Sequence, residues 1–187
     1  MFLPKNKPLR IFLIILTGFV AFIVLPFFSW LITDEGITAT SDATFCVNCH
    51  SMEPFEKSHT ADIHGGNNAH GVRATCARCH LPHDSSFNYM YTKAKTGIHD
   101  LWVENFGDPV NINWEAKRVN REHYVYDSGC ITCHTNLQNA TMATNKAFVA
   151  HRDYFLDIIN DKCVSCHENV GHANLSHYIS QIRGYQE

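Results

Sequence analysis

The motif Cys-x-x-Cys-His occurs four times, at Cys46–His50, Cys76–His80, Cys130–His134 and Cys163–His167, and it uses all eight cysteines of the chain. Two thiols three positions apart, with a histidine beside the second, form the attachment site of c-type haem. Each thiol adds to one vinyl group of the porphyrin, and the histidine can reach the iron from one face. Zinc cages also use paired Cys-x-x-Cys, and thioredoxin-like redox sites use one beside a βαβ pattern. Neither asks for a histidine after every second cysteine, and here all four motifs have one. Four covalent haems constrain the fold more than any other feature of the sequence.

Covalent haem attachment takes place outside the cytoplasm, so the cysteine-bearing part is expected to be exported. Lys5, Lys7 and Arg10 precede a run from Ile11 to Ile32 that carries no charge. At 1.5 Å per residue such a run crosses a hydrocarbon core of about 30 Å. Basic residues before it, and Asp34 and Glu35 after it, predict an N-in orientation in the cytoplasmic membrane. A cleaved signal peptide has a shorter apolar stretch closed by small residues. Here the run ends in Pro26-Phe27-Phe28-Ser29-Trp30, and the nearest small-residue stretch, Ala39–Ala43, lies beyond it. The expected organisation is a cytoplasmic segment 1–10, an uncleaved transmembrane anchor 11–32 and a periplasmic haem domain 33–187.

That domain is too small to build an ordinary core around four porphyrins. It is expected to be mainly α and haem-packed, with short helices and loops draped over the cofactors. Periodicity predicts helices at about 86–105, 114–123 and 143–160, turns at 65–68 and 107–109, and no strand. A net charge of −3 gives no reason to expect a nucleic-acid partner. The sequence leaves a homodimer open.

The motifs fall into two pairs. Cys46 and Cys76 are 30 residues apart, Cys130 and Cys163 are 33 apart, and 54 residues separate the pairs. His64 lies 12 residues before Cys76 and His151 lies 12 before Cys163; His83 follows His80 by three and His172 follows His167 by five. Two haem-pair modules, about 42–84 and 127–173, are the economical reading. Low-spin haem needs a second axial ligand, usually imidazole or thioether. Nine histidines outside the motifs are candidates: His59, His64, His70, His83, His99, His123, His151, His172 and His177.

The anchor, the paired motifs, Cys46-Val-Asn-Cys-His-Ser-Met52, and Gly71-Val-Arg-Ala-Thr-Cys76 leading to Cys79-His80-Leu-Pro-His83 together carry a resemblance, to which Lys93 with Asp100 and Glu-Asn-Val-Gly-His172 add. The chain resembles the NapC/NirT/NrfH family of membrane-anchored tetrahaem quinol dehydrogenases, from the anchor to about residue 173, and is closer to the NapC-like branch. The resemblance implies that Met52, rather than His50, binds the first iron, while His80, His134 and His167 bind the others. It implies Asp100 at the open face of the first haem, with Lys93 two turns earlier on the same helix face, as the quinol pocket. It assigns His64 to the fourth haem and His172 to the third. Applying the equal 12-residue offsets, His151 is expected at the second haem, a reciprocal exchange between modules. In the nitrite-reductase partner subgroup a lysine of the partner enzyme takes that place, so His151 tilts the chain to the NapC-like branch. His83 and His99 are further candidates, for an iron or for the quinol pocket, whereas His59, His70, His123 and His177 read as surface or supporting residues.

The expected activity is oxidation of menaquinol or ubiquinol from the membrane pool, with electrons passed to a periplasmic reductase of nitrate, nitrite or a related acceptor, or to a soluble cytochrome. Asp100 would serve as base and Lys93 as hydrogen-bond partner of the quinol oxygen. Two other readings stay open. One is an electron-carrying anchor without a quinol site. The other is a small multihaem terminal reductase, disfavoured by the short chain and the lack of a Cys-x-x-Cys-Lys motif.

Overall fold

The computed structural model describes residues 6–109 and 111–183 of the chain. Residues 1–5 of the expected cytoplasmic segment, Lys5 among them, and the last four of the haem domain lie outside the described residues. The chain divides into two compact units, Met1–Thr40 and Ser41–Glu187.

The first unit is one helix, Lys7–Ala39, of 33 residues. It overruns the charge-free stretch at both ends, because helical hydrogen bonding does not stop at the first charge. At 1.5 Å per residue it is about 50 Å long, more than a hydrocarbon core of about 30 Å requires. Large apolar side chains are exposed all round it, including Phe12, Ile15, Phe22 and Ile32. A helix that is apolar on every side suits lipid rather than one face of a protein core. Its ladder widens to a π turn at Val20–Val24, immediately before Pro26, whose missing N–H breaks the α pattern there.

The second unit is helical and turn-rich, with one isolated bridge between Gly65 and Arg73 and no strand among the described residues. Its buried hydrophobic residues are Ala43, Ala77, Leu81, Val164, Leu175 and Ile179. Six such side chains, one of them fully enclosed at most, cannot offset the conformational entropy of a chain this long. The remaining apolar contact has to come from the groups bonded to the cysteines. This is the haem-packed, mainly α architecture that the motifs demanded.

The first cysteine of each motif lies on a single helical turn, none of which periodicity could announce. The turns are Ala43–Cys46, Cys76–His80, Asp127–Ile131 and Cys163–Cys166. Backbone bonds close three of them onto the first cysteine: Cys49 N–H to Cys46 at 3.3 Å, His134 N–H to Cys130 at 3.0 Å and His167 N–H to Cys163 at 2.9 Å. A turn of this kind puts positions i and i+3 on one side, so both thiols face the same way. Asp42 caps the first turn by accepting from the Ala43 N–H at 2.7 Å.

Of the longer helices, Ser86–Phe106 matches expectation to within a residue. Ser85 caps it by accepting from the Asn88 N–H. Gly107 ends it, since a Cβ there would stand 2.6 Å from the Val103 carbonyl oxygen. The expected 114–123 helix is broken into Trp114–Arg118 and a 3-10 turn at Arg121–His123. The break frees Arg121 to donate to the Val164 and Ser165 carbonyls and to Glu168, tying this segment to the fourth motif. The expected 143–160 helix runs only Asn145–Phe155, and Asp157 with φ 54° turns the chain away.

Two contacts bring distant segments together. The Glu53–Ala61 and Leu175–Arg183 helices pack on each other, with fully buried Ser58 donating to the Ala173 carbonyl at 3.0 Å. The turns of the second and third motifs also pack together, Tyr126 N–H donating to the Cys79 carbonyl at 3.0 Å. Gly129 makes that approach possible, because a Cβ on it would lie 1.8 Å from the Arg78 carbonyl oxygen. Gly129→Ala is therefore expected to cost about 1–3 kcal/mol, the range for overpacking a close contact. The denaturant midpoint of the haem-loaded protein would fall accordingly, and an unchanged midpoint would show that this junction yields freely.

Candidate functional site: a chain of four haem motifs

The thiols lie in register with the two-module repeat. Cys46 and Cys76 share a side-chain hydrogen bond, which pulls Cys46 down to about 7 and pushes Cys76 up. Cys130 and Cys163 repeat this, with Cys130 drawn down to about 7 and Cys163 raised. Between the pairs, burial raises Cys79 to about 11, and the proximity of Cys130 and Cys133 adds to it. The first motif thus touches the second, the second the third, and the third the fourth, giving an unbroken file.

The histidines face one another in pairs. His80 and His172 have ring centres 6.2 Å apart, His64 and His134 6.3 Å, and His151 and His167 6.2 Å. Two imidazoles on one metal, with bonds of about 2 Å, place their centres about 6.3 Å apart. Hydrogen bonding orients three of these rings through Nδ1: His80 to the Tyr124 carbonyl at 2.7 Å, His64 to the Asp62 carboxylate at 3.0 Å and His151 to the Ala147 carbonyl at 2.8 Å. With Nδ1–H so engaged, Nε2 carries the lone pair a metal needs. Burial pushes the His172 imidazole down to about 4, with the charges of His80 and His59 acting in the same direction. It is held neutral, the ligating form. Its Nδ1 is buried without a hydrogen-bond partner, although the Phe55 backbone lies alongside. Desolvation lowers the pKa of His80 as well. These donors fit four c-type haems: eight thiols on four turns, and three histidine pairs at the spacing of a shared iron.

The rings that face one another are not the ones expected to share a haem from the resemblance and the offsets. His172 faces the second motif rather than the third, His64 the third rather than the fourth, and His151 the fourth rather than the second. Modules do exchange histidines, but between motifs two and three. His151 stays at home because it rides the Asn145–Phe155 helix, which runs past its own motif. His64 instead follows the end of its helix, held by Asp62 through both its backbone N–H and its ring. The ring that faces His80 of the second motif is that of His172.

His59 lies 6.1 Å from His172, a spacing that alone would suit a metal pair. Both its nitrogens are committed elsewhere, to the Gly171 carbonyl at 3.0 Å and the Ala74 carbonyl at 2.9 Å. It is a buried tie between these two carbonyls, the supporting one of the two roles the sequence left open. His70 and His123 are exposed, and His177 pairs with Gln181. His83 packs on Tyr89 at 5.3 Å and turns Nε2 to the Ala77 carbonyl, with no motif histidine opposite.

The long Ser86–Phe106 helix lies along the first motif. The charge of Asp100 is felt at Cys46 and Cys49, that of Lys93 at Cys46 and that of Glu104 at Cys49. Lys93 donates to Ser41 Oγ at 2.9 Å, and desolvation lowers its pKa. Glu104 accepts from Ser51 Oγ at 2.8 Å, beside Met52 on the His50–Met52 turn. Exposed Asp100 pairs with His99 at 3.2 Å. His50 is exposed and Met52 half-buried. Glu104 is the site residue that the sequence reading missed, and its place one turn after Asp100 was the available signal.

Such a file of Cys-x-x-Cys-His turns with facing imidazoles defines a multihaem c-type cytochrome, an electron-transfer protein. Residues 5–177 match the NapC/NirT cytochrome c family, N-terminal region, and the chain belongs to that family. It is 29% identical over 82% of its length to the cytochrome c-type protein TorC of Escherichia coli, spanning only 39% of that relative. The tetraheme c-type cytochrome CymA of Shewanella oneidensis is 29% identical over 84% of the chain and 90% of its own length. A chain in the crystal structure of the cytochrome c nitrite reductase NrfHA complex bound to the HQNO inhibitor superposes with a TM-score of 0.52 at 25% identity, covering 86% of this chain and 90% of that one.

The ring pairs give a direct test. His172→Ala, and His80→Ala combined with His172→Ala, are each expected to perturb one haem of the four in the low-spin spectrum. Two perturbed haems in the double variant would mean that these rings serve different irons.

Proposed function

We propose that the protein oxidises membrane quinol at its first haem and passes electrons along the file of motifs to an acceptor on the outer side of the membrane. The observation that carries this reading is the placement of Lys93, Asp100 and Glu104 against the first motif, where an iron would lack a facing histidine. In that scheme Cys46, Cys49, Cys76, Cys79, Cys130, Cys133, Cys163 and Cys166 hold the four haems. Met52 binds the first iron, and His80 with His172, His134 with His64, and His167 with His151 bind the others. The haems supply one-electron redox chemistry.

Oxidation of a quinol to the quinone releases two electrons and two protons. The chain's residues have to fix the quinol and take the protons. Lys93, half-buried and directed by Ser41, donates a hydrogen bond to a quinol oxygen. Asp100 accepts a proton where it is exposed enough to pass it to water, with His99 beside it as the next carrier. Glu104, on the same helix side, offers a second acceptor, so the two protons need not share one carboxylate. The 42–84 and 127–173 modules then carry electrons away, since the motifs touch in chain order. Periplasmic reductases and soluble cytochromes are the acceptors of matching chemistry, and menaquinol or ubiquinol is the donor. The Lys7–Ala39 helix would hold this domain on the periplasmic face, its N-terminus inside.

In reconstituted membranes, Asp100→Asn is expected to slow quinol-driven haem reduction by about 10²-fold, the lower end for loss of a general base. The four-haem spectrum would be intact. Wild-type rates in this variant, with Glu104→Gln also silent, would leave a relay fed by another protein. Because desolvation lowers the Lys93 pKa below the ordinary 10.5, the lysine loses its proton earlier as pH rises. The rate should therefore fall on the alkaline side below pH 10.5, and Lys93→Arg should move that limb upward.

A further inference from the structure

The Ser86–Phe106 helix has a face that neither the motifs nor the protein interior uses. With 3.6 residues per turn each position advances about 100°. Lys93, Asp100 and Glu104 share one side. Tyr89, which packs on His83, lies at the edge of that side, and Thr92 beyond it is buried. Another side carries Phe87, Tyr91, Ile98 and Trp102, with Leu101 and Phe106 at its margins, each at least 59% exposed. Rings pair along it, Phe87 stacking on Tyr91 at 6.4 Å and Trp102 on Phe106 at 4.8 Å. Ile98 and Trp102 flank Asp100 by two positions, so each points about 160° away from it.

We propose that this face lies in the headgroup–acyl boundary of the bilayer, making the helix a second, in-plane membrane contact. Three observations select lipid over a protein partner. Lys93 Nζ donates to Ser41 Oγ at 2.9 Å, and the same oxygen lies 3.3 Å from the Tyr89 hydroxyl. Ser41 follows the end of the membrane-length helix at Ala39 by two residues, a span of at most about 7 Å of extended chain. The helix is thus held to the stretch of chain that leaves the membrane. Its free face is rich in Phe, Tyr and Trp, the residues that settle at membrane–water interfaces. Lys95 borders that face, as in helices that lie in the interface plane. The 21 residues of the helix, about 31 Å at 1.5 Å each, give a contact of that kind ample length.

This placement can be tested without quinol turnover, so its failure is separate from failure of the quinol reading. The full-length haem-loaded protein is reconstituted in phosphatidylethanolamine–phosphatidylglycerol nanodiscs. It carries one added cysteine, the eight native ones being bonded to haem. A nitroxide is attached at Ile98→Cys, with Tyr91→Cys as a second position and Val119→Cys, outside this helix, as reference; Val119 is 76% exposed. Each variant is first required to keep its four-haem absorbance. Relaxation by oxygen, which concentrates in lipid, is compared with relaxation by a water-soluble nickel chelate. The oxygen-to-nickel ratio at 98 and 91 is expected to exceed that at 119 roughly threefold or more, as for an interfacial helix. A ratio equal to that at 119 would overturn the proposal by placing the face in water. Low access to both reagents would overturn it too, by placing the face against a second copy of the chain.

Discussion

The covalent bond between cysteine and porphyrin governs this molecule as a hydrophobic core governs an ordinary one. With six buried hydrophobic side chains among the described residues of the second unit, apolar burial within the polypeptide is too small to order it. The attachment motifs put their first cysteines on one-turn helices and bring neighbouring motifs close enough for thiols to touch. The helices therefore have the task of placing cofactor-bearing turns in file. That explains why so many are one turn long, and why polar ties such as Ser58 to Ala173 and Arg121 to Glu168 hold the segments between them.

The same constraint shapes the histidines. A ligand must be neutral, with its lone pair aimed, and the structure achieves this by two routes. His64, His80 and His151 have Nδ1 fixed by an oxygen partner, while His172 is held neutral by burial. The first motif departs from this pattern. Among the described residues its exposed His50 has no facing ring, and the charges of Lys93, Asp100 and Glu104 act on its cysteines instead. Three alike sites and one unlike are what the proposed relay calls for.

The motifs, the apolar anchor and the mainly helical architecture were all legible in the sequence, because each rests on a local pattern. The partners of the histidines were not. His64 and His151 stand at the same offset from their motifs, yet one ring crosses to the other module and the other stays. Offset records position along the chain, whereas partnership depends on whether a helix or a loop carries the residue. His59 could be read only as a surface or supporting residue for a related reason, as its two carbonyl partners lie 15 and 112 residues away. Glu104 was hidden in an ordinary helix period, and only the packing of that helix on Cys49 and Ser51 gives it meaning.

His59 has one further consequence. Its ring clasps Ala74, just ahead of the second motif, to Gly171, just ahead of His172. One buried ring therefore fixes two stretches that lie far apart along the chain, so that the approach to the second motif and the approach to His172 move as a single body.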